Sequence, residues 1–254
     1  MPVNHIWAEA QRNGLYISVG TFYKYVRQIK GKPELIEMKE IKRAEIRADR
    51  PFGILHMDST TFRCLNGERV YVHFVMDNYS RKVLGAVPSY SSKSEVVADN
   101  LRKVISKYKL RNKPFELYCD DGPENHGDVT ELLKNDKRIQ ITKIVANYKV
   151  YTSNNMIEAW NKKFKRIVLK KFIVKSFENL EEQLPKMIDY FNDLKLPVLK
   201  TLSPNEASAG VKYEDIGIKS KMEEAKFLRL SQNQVLLCNT KEMSQKINHN
   251  CANN

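Results

Sequence analysis

Cysteine pairs, long apolar runs and internal repeats are missing from this chain of 254 residues. The four cysteines, Cys64, Cys119, Cys238 and Cys251, form no Cys-x-x-Cys pair and no Cys/His spacing of a zinc site. No apolar stretch is long enough to enter a bilayer. The N-terminus lacks the charged start and apolar segment of a signal peptide. We therefore expect reduced thiols, no membrane span and a cytoplasmic location.

The charge balance is strongly positive, with 43 Lys and Arg against 30 Asp and Glu and a formal net charge of +13. Hydrophobic residues make up 42% of the chain, which is enough for a packed core and argues against wholesale disorder. The length suits one large core and a small accessory unit. The excess of positive charge favours a polyanionic partner, nucleic acid before membrane.

Residues 1–32 are predicted to form a partial helix-turn-helix. The first helix should end at Gly14, a suitable C-cap, and the second should begin after Ser18, a suitable N-cap. Basic residues on the second helix favour DNA contact, so Ser18, Thr21 and Lys24 are candidate DNA-binding residues. An ordinary helical hairpin is the alternative.

Residues 33–50 are predicted to be a charged linker, because most of them carry charge of mixed sign. Residues 51–210 alternate strand and helix patterns, as an α/β domain does. Residues 211–254 form a C-terminal extension of uncertain structure. Within 51–210 the predicted strands are 52–58, 68–77, 82–90, 114–119 and 138–144, and the predicted helices are 92–108, 127–135, 154–171 and 177–193.

This β-β-β-α-β-α-β order is that of the ribonuclease-H-like fold, a mixed five-stranded sheet flanked by helices. Pro185 lies inside the last predicted helix, where a proline removes a hydrogen bond, and it predicts a kink or a boundary there.

Two aspartates occupy the ends of predicted strands. Asp58 follows the apolar segment 52–57, and Asp120 ends the segment 115–119 before a tight Asp-Gly-Pro turn. Either aspartate alone could have a purely structural role, as a carboxylate that caps a turn. On adjacent parallel strands, however, Asp58 and Asp120 would lie side by side and raise each other's pKa. Divalent cations would remove that repulsion. Asp121 is the alternative ligand, but successive side chains of a strand alternate in direction, so Asp121 should point to the other side.

Glu158 is the third acidic candidate and the one acid among residues 143–175, which contain nine Lys or Arg. A helical glutamate is usually a surface residue, and a charge run is usually a solvated face. Lys162, Lys165 and Arg166 follow Glu158 at offsets of 4, 7 and 8, so they share its side of the helix. A solitary acid there is better explained as a metal ligand beside phosphate-binding side chains. We predict DNA contacts from these three basic residues and from Lys149.

Together these motifs resemble the retroviral-integrase-like DDE transposases of bacterial insertion sequences, over about residues 4–210. Residues 55–60 are similar to the family's first acidic motif, and residues 120–124 to its Asp-Asn-Gly-x-Glu motif. Glu158 follows Asp120 by 38 positions, close to the family's spacing. Lys165 matches a basic position that contacts the element's end, whereas Asn125 stands where the family usually has an aromatic residue.

The resemblance implies that Asp58, Asp120 and Glu158 are catalytic and bind two Mg²⁺ ions, for which Mn²⁺ can substitute. It implies an enzyme that cuts DNA at the ends of an insertion sequence and joins the 3′-hydroxyl to target DNA. The implied partners are double-stranded DNA, further copies of the chain in a multimer, and a separately encoded upstream helix-turn-helix protein, in a bacterial cytoplasm at the nucleoid. Two alternatives remain: a ribonuclease-H-like nuclease that only hydrolyses, and a decayed, non-catalytic DNA-binding copy.

Overall fold

The computed structural model of the chain describes residues 3–30, 46–146 and 155–233. The strands are β1 (Ile54–Arg63), β2 (Arg69–Asp77), β3 (Val83–Ser89), β4 (Phe115–Asp120) and β5 (Ile141–Ala146). The helices are α1 (Val3–Arg12), α2 (Val19–Lys30), α3 (Ser94–Lys107), α4 (Asp128–Asn135), α5 (Asn155–Val168), α6 (Phe177–Asp193) and α7 (Pro204–Ser208). Residues 218–233 are also helical. None of the helices in these ranges is both long enough and apolar enough to span a bilayer.

The five strands form one sheet in the order β3-β2-β1-β4-β5. β1, β2 and β3 form an antiparallel meander, whereas β4 runs parallel to β1 and β5 runs parallel to β4. Both parallel pairs are joined through helices, as parallel connections require. The predicted mixed five-stranded sheet and its element order are therefore confirmed.

Each face of the sheet packs against its own helices, because successive side chains of a strand point to opposite faces. Leu55 and Met57 of β1 belong to a buried cluster with α3. Phe62 belongs to a second cluster with α5 and α6. Asp58 and Phe62 are four residues apart on β1, so their side chains lie on the same face of the sheet. Asp58 therefore faces α5.

Aromatic rings fix α5 on that face of the sheet. The ring of Phe74 on β2 lies 5.1 Å from the ring of Trp160 and 5.2 Å from that of Phe164, both in edge-to-face geometry. Phe191 of α6 closes the cluster at 5.2 Å from Trp160. Such pairs contribute about 0.5–1.5 kcal/mol each beyond their buried area. α5 therefore buries one apolar face against the sheet, and this packing fixes where the polar residues of α5 lie.

β1 is longer than its sequence predicted. It continues from Asp58 to Arg63, so Asp58 lies in the middle of the strand, and the expectation of a strand-end position was wrong. The reason is the antiparallel partner: Thr60 faces Val72 and Phe62 faces Val70 across β2, a pairing that suits β-branched and aromatic residues. β4, in contrast, ends at Asp120.

α6 is one continuous helix of 17 residues with Pro185 inside it, so the boundary alternative at this proline was wrong. Ser176 caps the helix by accepting a hydrogen bond from the Asn179 backbone amide. Leu180, Leu184, Met187 and Phe191 are buried at helical spacing along one face. This packing offsets the hydrogen bond that Pro185 cannot donate.

β3 lies at the edge of the sheet and is held from both sides. The side-chain amide of Asn192 on α6 both donates to the carbonyl of Val83, at 3.0 Å, and accepts from its amide, at 2.9 Å. Two residues further on, a Cβ added to Gly85 would lie 2.5 Å from Cγ2 of Val104 and 2.6 Å from Oδ1 of Asn100. Glycine at this position therefore lets α3 approach the sheet closely.

We expect Gly85→Ala to lower the free energy of unfolding by about 1–3 kcal/mol, the usual cost of an overpacked core. Gly20→Ala on α2 is the matched control, since its nearest neighbour, Oγ of Ser18, is 3.9 Å away. The control should be neutral or slightly stabilising, because alanine favours helices over glycine. Denaturant titrations measure both variants, and equal midpoints for Gly85→Ala and wild type would contradict the tight approach of α3.

Candidate active site

The register of the parallel strands brings Asp58 and Asp120 side by side. β1 and β4 pair at Leu55 with Leu117 and at His56 with Tyr118. Asp58 and Asp120 each stand two residues beyond the second pair, on the same face of neighbouring strands. The stacked rings of His56 and Tyr118, 5.4 Å apart, lie on that same face, two residues before the two carboxylates.

The carboxylate of Asp58 has two hydrogen-bond donors. The backbone amide of Ser59 donates to Oδ1 at 2.9 Å, and the side-chain amide of Asn161 on α5 donates to Oδ2. Burial, together with the negative charges of Asp120 and Glu158, raises the pKa of Asp58 to about 7 despite both donors. Asp120 and Glu158 are therefore both close enough to Asp58 to disfavour its ionised form.

The carboxylate of Asp120 is held by the turn that follows it. Asn125 donates from its side-chain amide to Oδ1 at 2.5 Å, and the backbone amide of Gly122 lies 3.3 Å from the same oxygen. Asp121 is turned away: it is exposed and bonds to the ring of His126 at 2.9 Å. This arrangement agrees with the expected separation of Asp120 and Asp121 on opposite sides.

Glu158 lies in the first turn of α5 and is exposed, whereas its neighbours Ile157 and Trp160 are buried against the sheet. Its charge reaches Asp58. Within residues 3–30, 46–146 and 155–233, no three His, Cys, Asp or Glu side chains are grouped closely enough to hold a metal ion.

The chemistry of the two aspartates nevertheless fits a divalent cation. Carboxylate oxygens are the ligands that Mg²⁺ takes in proteins. Burial is the main cause of the raised pKa of Asp58, and the negative charges of Asp120 and Glu158 add to it. A bound cation would relieve that repulsion.

The basic residues of α5 differ in their surroundings. Lys162 and Arg166 are exposed. Lys165 is half-buried: its ammonium donates to the carbonyl of Thr61 on β1 at 2.7 Å and lies 5.5 Å from the ring centre of Phe62. Burial lowers the pKa of Lys165, which the charge of Asp58 partly offsets. Lys162 and Arg166 are thus better placed than Lys165 to contact a phosphate backbone, and Lys149 lies outside the described residues.

The N-terminal helices lie against the C-terminal part of the described chain. Arg12 of α1 forms a bidentate ion pair with Glu206 of α7, with N–O distances of 2.6 and 3.1 Å. Glu9 accepts a hydrogen bond from the backbone amide of Lys195 at 2.8 Å. These polar contacts hold α1 against the C-terminal part of the described chain.

The candidate DNA-binding residues of α2 are all exposed: Ser18, Thr21 and Lys24. Ser18 caps α2, because its hydroxyl accepts a hydrogen bond from the Thr21 amide at 3.1 Å. Tyr25 and Ile29 of the same helix are also exposed, at 55% and 84%. The predicted bounds of the two helices agree with the structure, and their role in DNA binding stays a prediction.

Sequence reasoning did not identify Asn161 and Asn125 as partners of the two aspartates. Asn161 follows Glu158 by three positions and interrupts the apolar face of α5, which was a usable signal. Asn125 was noticed only as a departure from a family pattern. Its hydrogen bond to Asp120 depends on the turn between them, which a helix or strand period does not describe.

The raised pKa of Asp58 predicts the pH dependence of stability in metal-free protein. The unfolded chain releases this proton near pH 3.8 and the folded chain near pH 7, so ionised Asp58 destabilises the fold. The free energy of unfolding of wild type should fall, relative to that of Asp58→Asn, as the pH rises from about 4 to about 7. Above pH 7 the difference should stay constant, with a melting temperature a few degrees higher for Asp58→Asn.

Thermal melts across this pH range, with a chelator present, measure the effect. Asp121→Asn is the matched control, because this neighbouring aspartate is exposed. A wild type and an Asp58→Asn variant with parallel pH profiles would show that Asp58 is not crowded by Asp120 and Glu158.

Comparison with known proteins supports the same architecture. The family model of the integrase core domain matches residues 48–150, a segment that contains Asp58 and Asp120 and ends before Glu158. A chain of the simian T-cell lymphotropic virus intasome, solved in complex with PP2A regulatory subunit B56 gamma, is similar with a TM-score of 0.54 and 16% identity, covering 76% of this chain and 67% of that chain.

The HTLV-2 integrase catalytic core domain, solved in complex with magnesium in trimeric and dimeric forms, has a TM-score of 0.48 and 16% identity. That match covers 64% of this chain and 99% of the other. The comparison with curated proteins gave no match. At 16% identity the intasome chain shows the fold, and the family model identifies the segment. Residues 48–150, which carry both neighbouring aspartates, are thus similar to the integrase core domain family.

Proposed function

We propose that this chain is a DNA transposase of a bacterial insertion sequence, which cuts DNA at the ends of the element and joins the exposed 3′-hydroxyl to target DNA. One observation carries the proposal. Asp58 and Asp120 lie side by side on parallel strands of an integrase core domain, and Glu158 is near enough to raise the pKa of Asp58. A cluster of carboxylates whose negative charges repel one another is suited to hold divalent cations beside a phosphodiester.

Asp58, Asp120 and Glu158 are the proposed catalytic residues and ligands of two Mg²⁺ ions, or of Mn²⁺ in their place. When bound, such ions supply a nucleophile from water or a 3′-hydroxyl and neutralise charge on the in-line transition state. Asn161 and the Ser59 amide orient the carboxylate of Asp58.

The surface next to the acids is suited to a DNA backbone. Lys162 and Arg166 are exposed on α5, one and two turns beyond Glu158, and provide charge for adjacent phosphates. Lys165 strengthens the positive field near Asp58, while its hydrogen bond to Thr61 fixes α5 to β1.

Both ends of an element must be brought together for joining, so a multimer on double-stranded DNA is part of the proposal. The similar chain belongs to an intasome, and the HTLV-2 core was solved in trimeric and dimeric forms. The upstream helix-turn-helix protein and the nucleoid location stay predictions from the sequence resemblance.

Asp58→Asn and Asp120→Asn should each abolish cleavage and strand transfer, with a loss of more than about 100-fold. Even residues that only support metal ligands typically contribute 10–100-fold. DNA affinity without metal should stay the same or rise slightly, because Lys and Arg contact the phosphates. Gel assays with a duplex that carries the element's inverted repeat measure cutting, joining and binding on one substrate.

Asp121→Asn serves as the control, since Asp121 is adjacent in sequence but turned away from Asp120. Normal joining by Asp58→Asn in Mg²⁺ would refute the assignment. Cutting without joining by wild type, in the presence of target DNA, would favour the nuclease alternative. Binding with neither reaction would favour the decayed copy.

Lys162→Ala combined with Arg166→Ala should weaken binding to the element's end and flatten its salt dependence. Each lost phosphate contact lowers the slope of log affinity against log salt by about 0.9, so the double variant should lose about 1.8. The control is Lys113→Ala combined with Lys137→Ala, which removes the same amount of positive charge. Both lysines are exposed and precede β4 and β5, at the end of the sheet away from Asp120. This control should keep the wild-type slope, and coincident lines for all three proteins would show that α5 does not contact DNA.

A further inference from the structure

The turn after β4 is compact and returns the chain beneath Asp120. Gly122 is followed by a 3-10 turn, Pro123–Asn125, and the Asn125 amide donates to the Gly122 carbonyl at 2.9 Å. The flexible side chain of Glu124 folds back over Gly122, and its carboxylate lies 2.6 Å from the position that a Cβ would take there. Proline at the first position of the turn restricts its backbone further. One backbone hydrogen bond and one proline therefore define the shape of this turn.

Asn125 is the buried end of this turn, with only 2% of its surface exposed. Its side-chain amide donates to Oδ1 of Asp120 at 2.5 Å and lies 3.3 Å from the carbonyl of Asp120. Its backbone carbonyl accepts a hydrogen bond from the ammonium of Lys143 on β5. Asn125 thus links the second carboxylate to the turn and to the neighbouring strand.

The two carboxylate oxygens of Asp120 differ in their hydrogen-bond donors. Oδ1 receives the amide of Asn125 and the backbone amide of Gly122. In the described part of the chain no donor bonds to Oδ2. A carboxylate held through one oxygen cannot rotate freely, and its other oxygen keeps its lone pairs for another ligand.

We propose that Asn125 is a positioning residue for the second carboxylate of the site: it holds Asp120 through Oδ1 and keeps Oδ2 available to a divalent cation. This inference rests on the proposed function and adds a residue that acts through Asp120 without touching DNA or metal. Partners of metal ligands orient them and typically contribute 10–100-fold to metal affinity or activity. A buried donor with a single carboxylate partner, on a restrained turn, suits that role.

Asn125→Ala removes the side-chain donor and leaves the backbone bonds to Gly122 and Lys143 in place. Asn125→Ser is the second variant, since its small polar side chain is tolerated in a buried polar position and is too short to replace the amide. Asn205→Ala is the control: Asn205 of α7 donates to Oδ1 of Asp193 at 2.7 Å, an Asn–Asp pair that lies outside the site and is more exposed.

The measurements are Mn²⁺ affinity by titration calorimetry on full-length protein, and DNA cleavage as a function of Mg²⁺ concentration. For Asn125→Ala and Asn125→Ser we expect Mn²⁺ affinity to fall about 10-fold or more and the half-saturating Mg²⁺ concentration to rise to match. Cleavage at saturating Mg²⁺ should recover most of the wild-type rate. The control should match wild type in both measurements.

Unchanged Mn²⁺ affinity in folded Asn125 variants would overturn the proposal. Melting of both variants below the assay temperature would assign Asn125 to turn stability alone and would overturn it as well. A wild type that neither binds Mn²⁺ nor cuts DNA would instead refute the proposed function, so the two failures are distinguishable.

Discussion

The repulsion between Asp58 and Asp120 is the constraint on which the rest of the site depends. Strand register fixes their positions, since β1 and β4 pair in parallel and both residues lie two positions past the last pair. The fold cannot relieve the repulsion by moving one strand without losing the buried residues Leu55 and Leu117 from its core. The structure instead raises the pKa of Asp58 and surrounds both carboxylates with amide donors. Because the two carboxylates repel each other when no metal is bound, the site is suited to bind cations.

α5 connects the apolar core to the chemistry of the site. Trp160 and Phe164 pack on Phe74 and fix the helix, and Asn161 then reaches Asp58 from the same surface. Glu158, one turn earlier, faces outward and still influences Asp58. The same aromatic packing therefore sets both the hydrogen bond to the first carboxylate and the position of the third acid.

The sequence predicted the order of the elements and the adjacency of the two aspartates well, because both follow from hydrophobic periodicity and from the geometry of parallel strands. It placed Asp58 at a strand end, since the hydroxyl residues after it resemble a turn until β2 is present to pair with them. It predicted Lys165 as a DNA contact but not its hydrogen bond to the Thr61 carbonyl or its position over the ring of Phe62. Asn125 and Asn161 depend on tertiary contacts that no local period encodes.

The most direct test of metal binding between the two aspartates is a crystal structure of the chain on its DNA end with Mn²⁺, in which anomalous scattering locates the metal. We expect Mn²⁺ to be bound between Asp58 and Asp120, with Asn125 still donating to Oδ1 of Asp120 and Glu158 turned toward the metal. Mn²⁺ absent from both aspartates, or Glu158 directed away from bound metal and DNA in that complex, would contradict it.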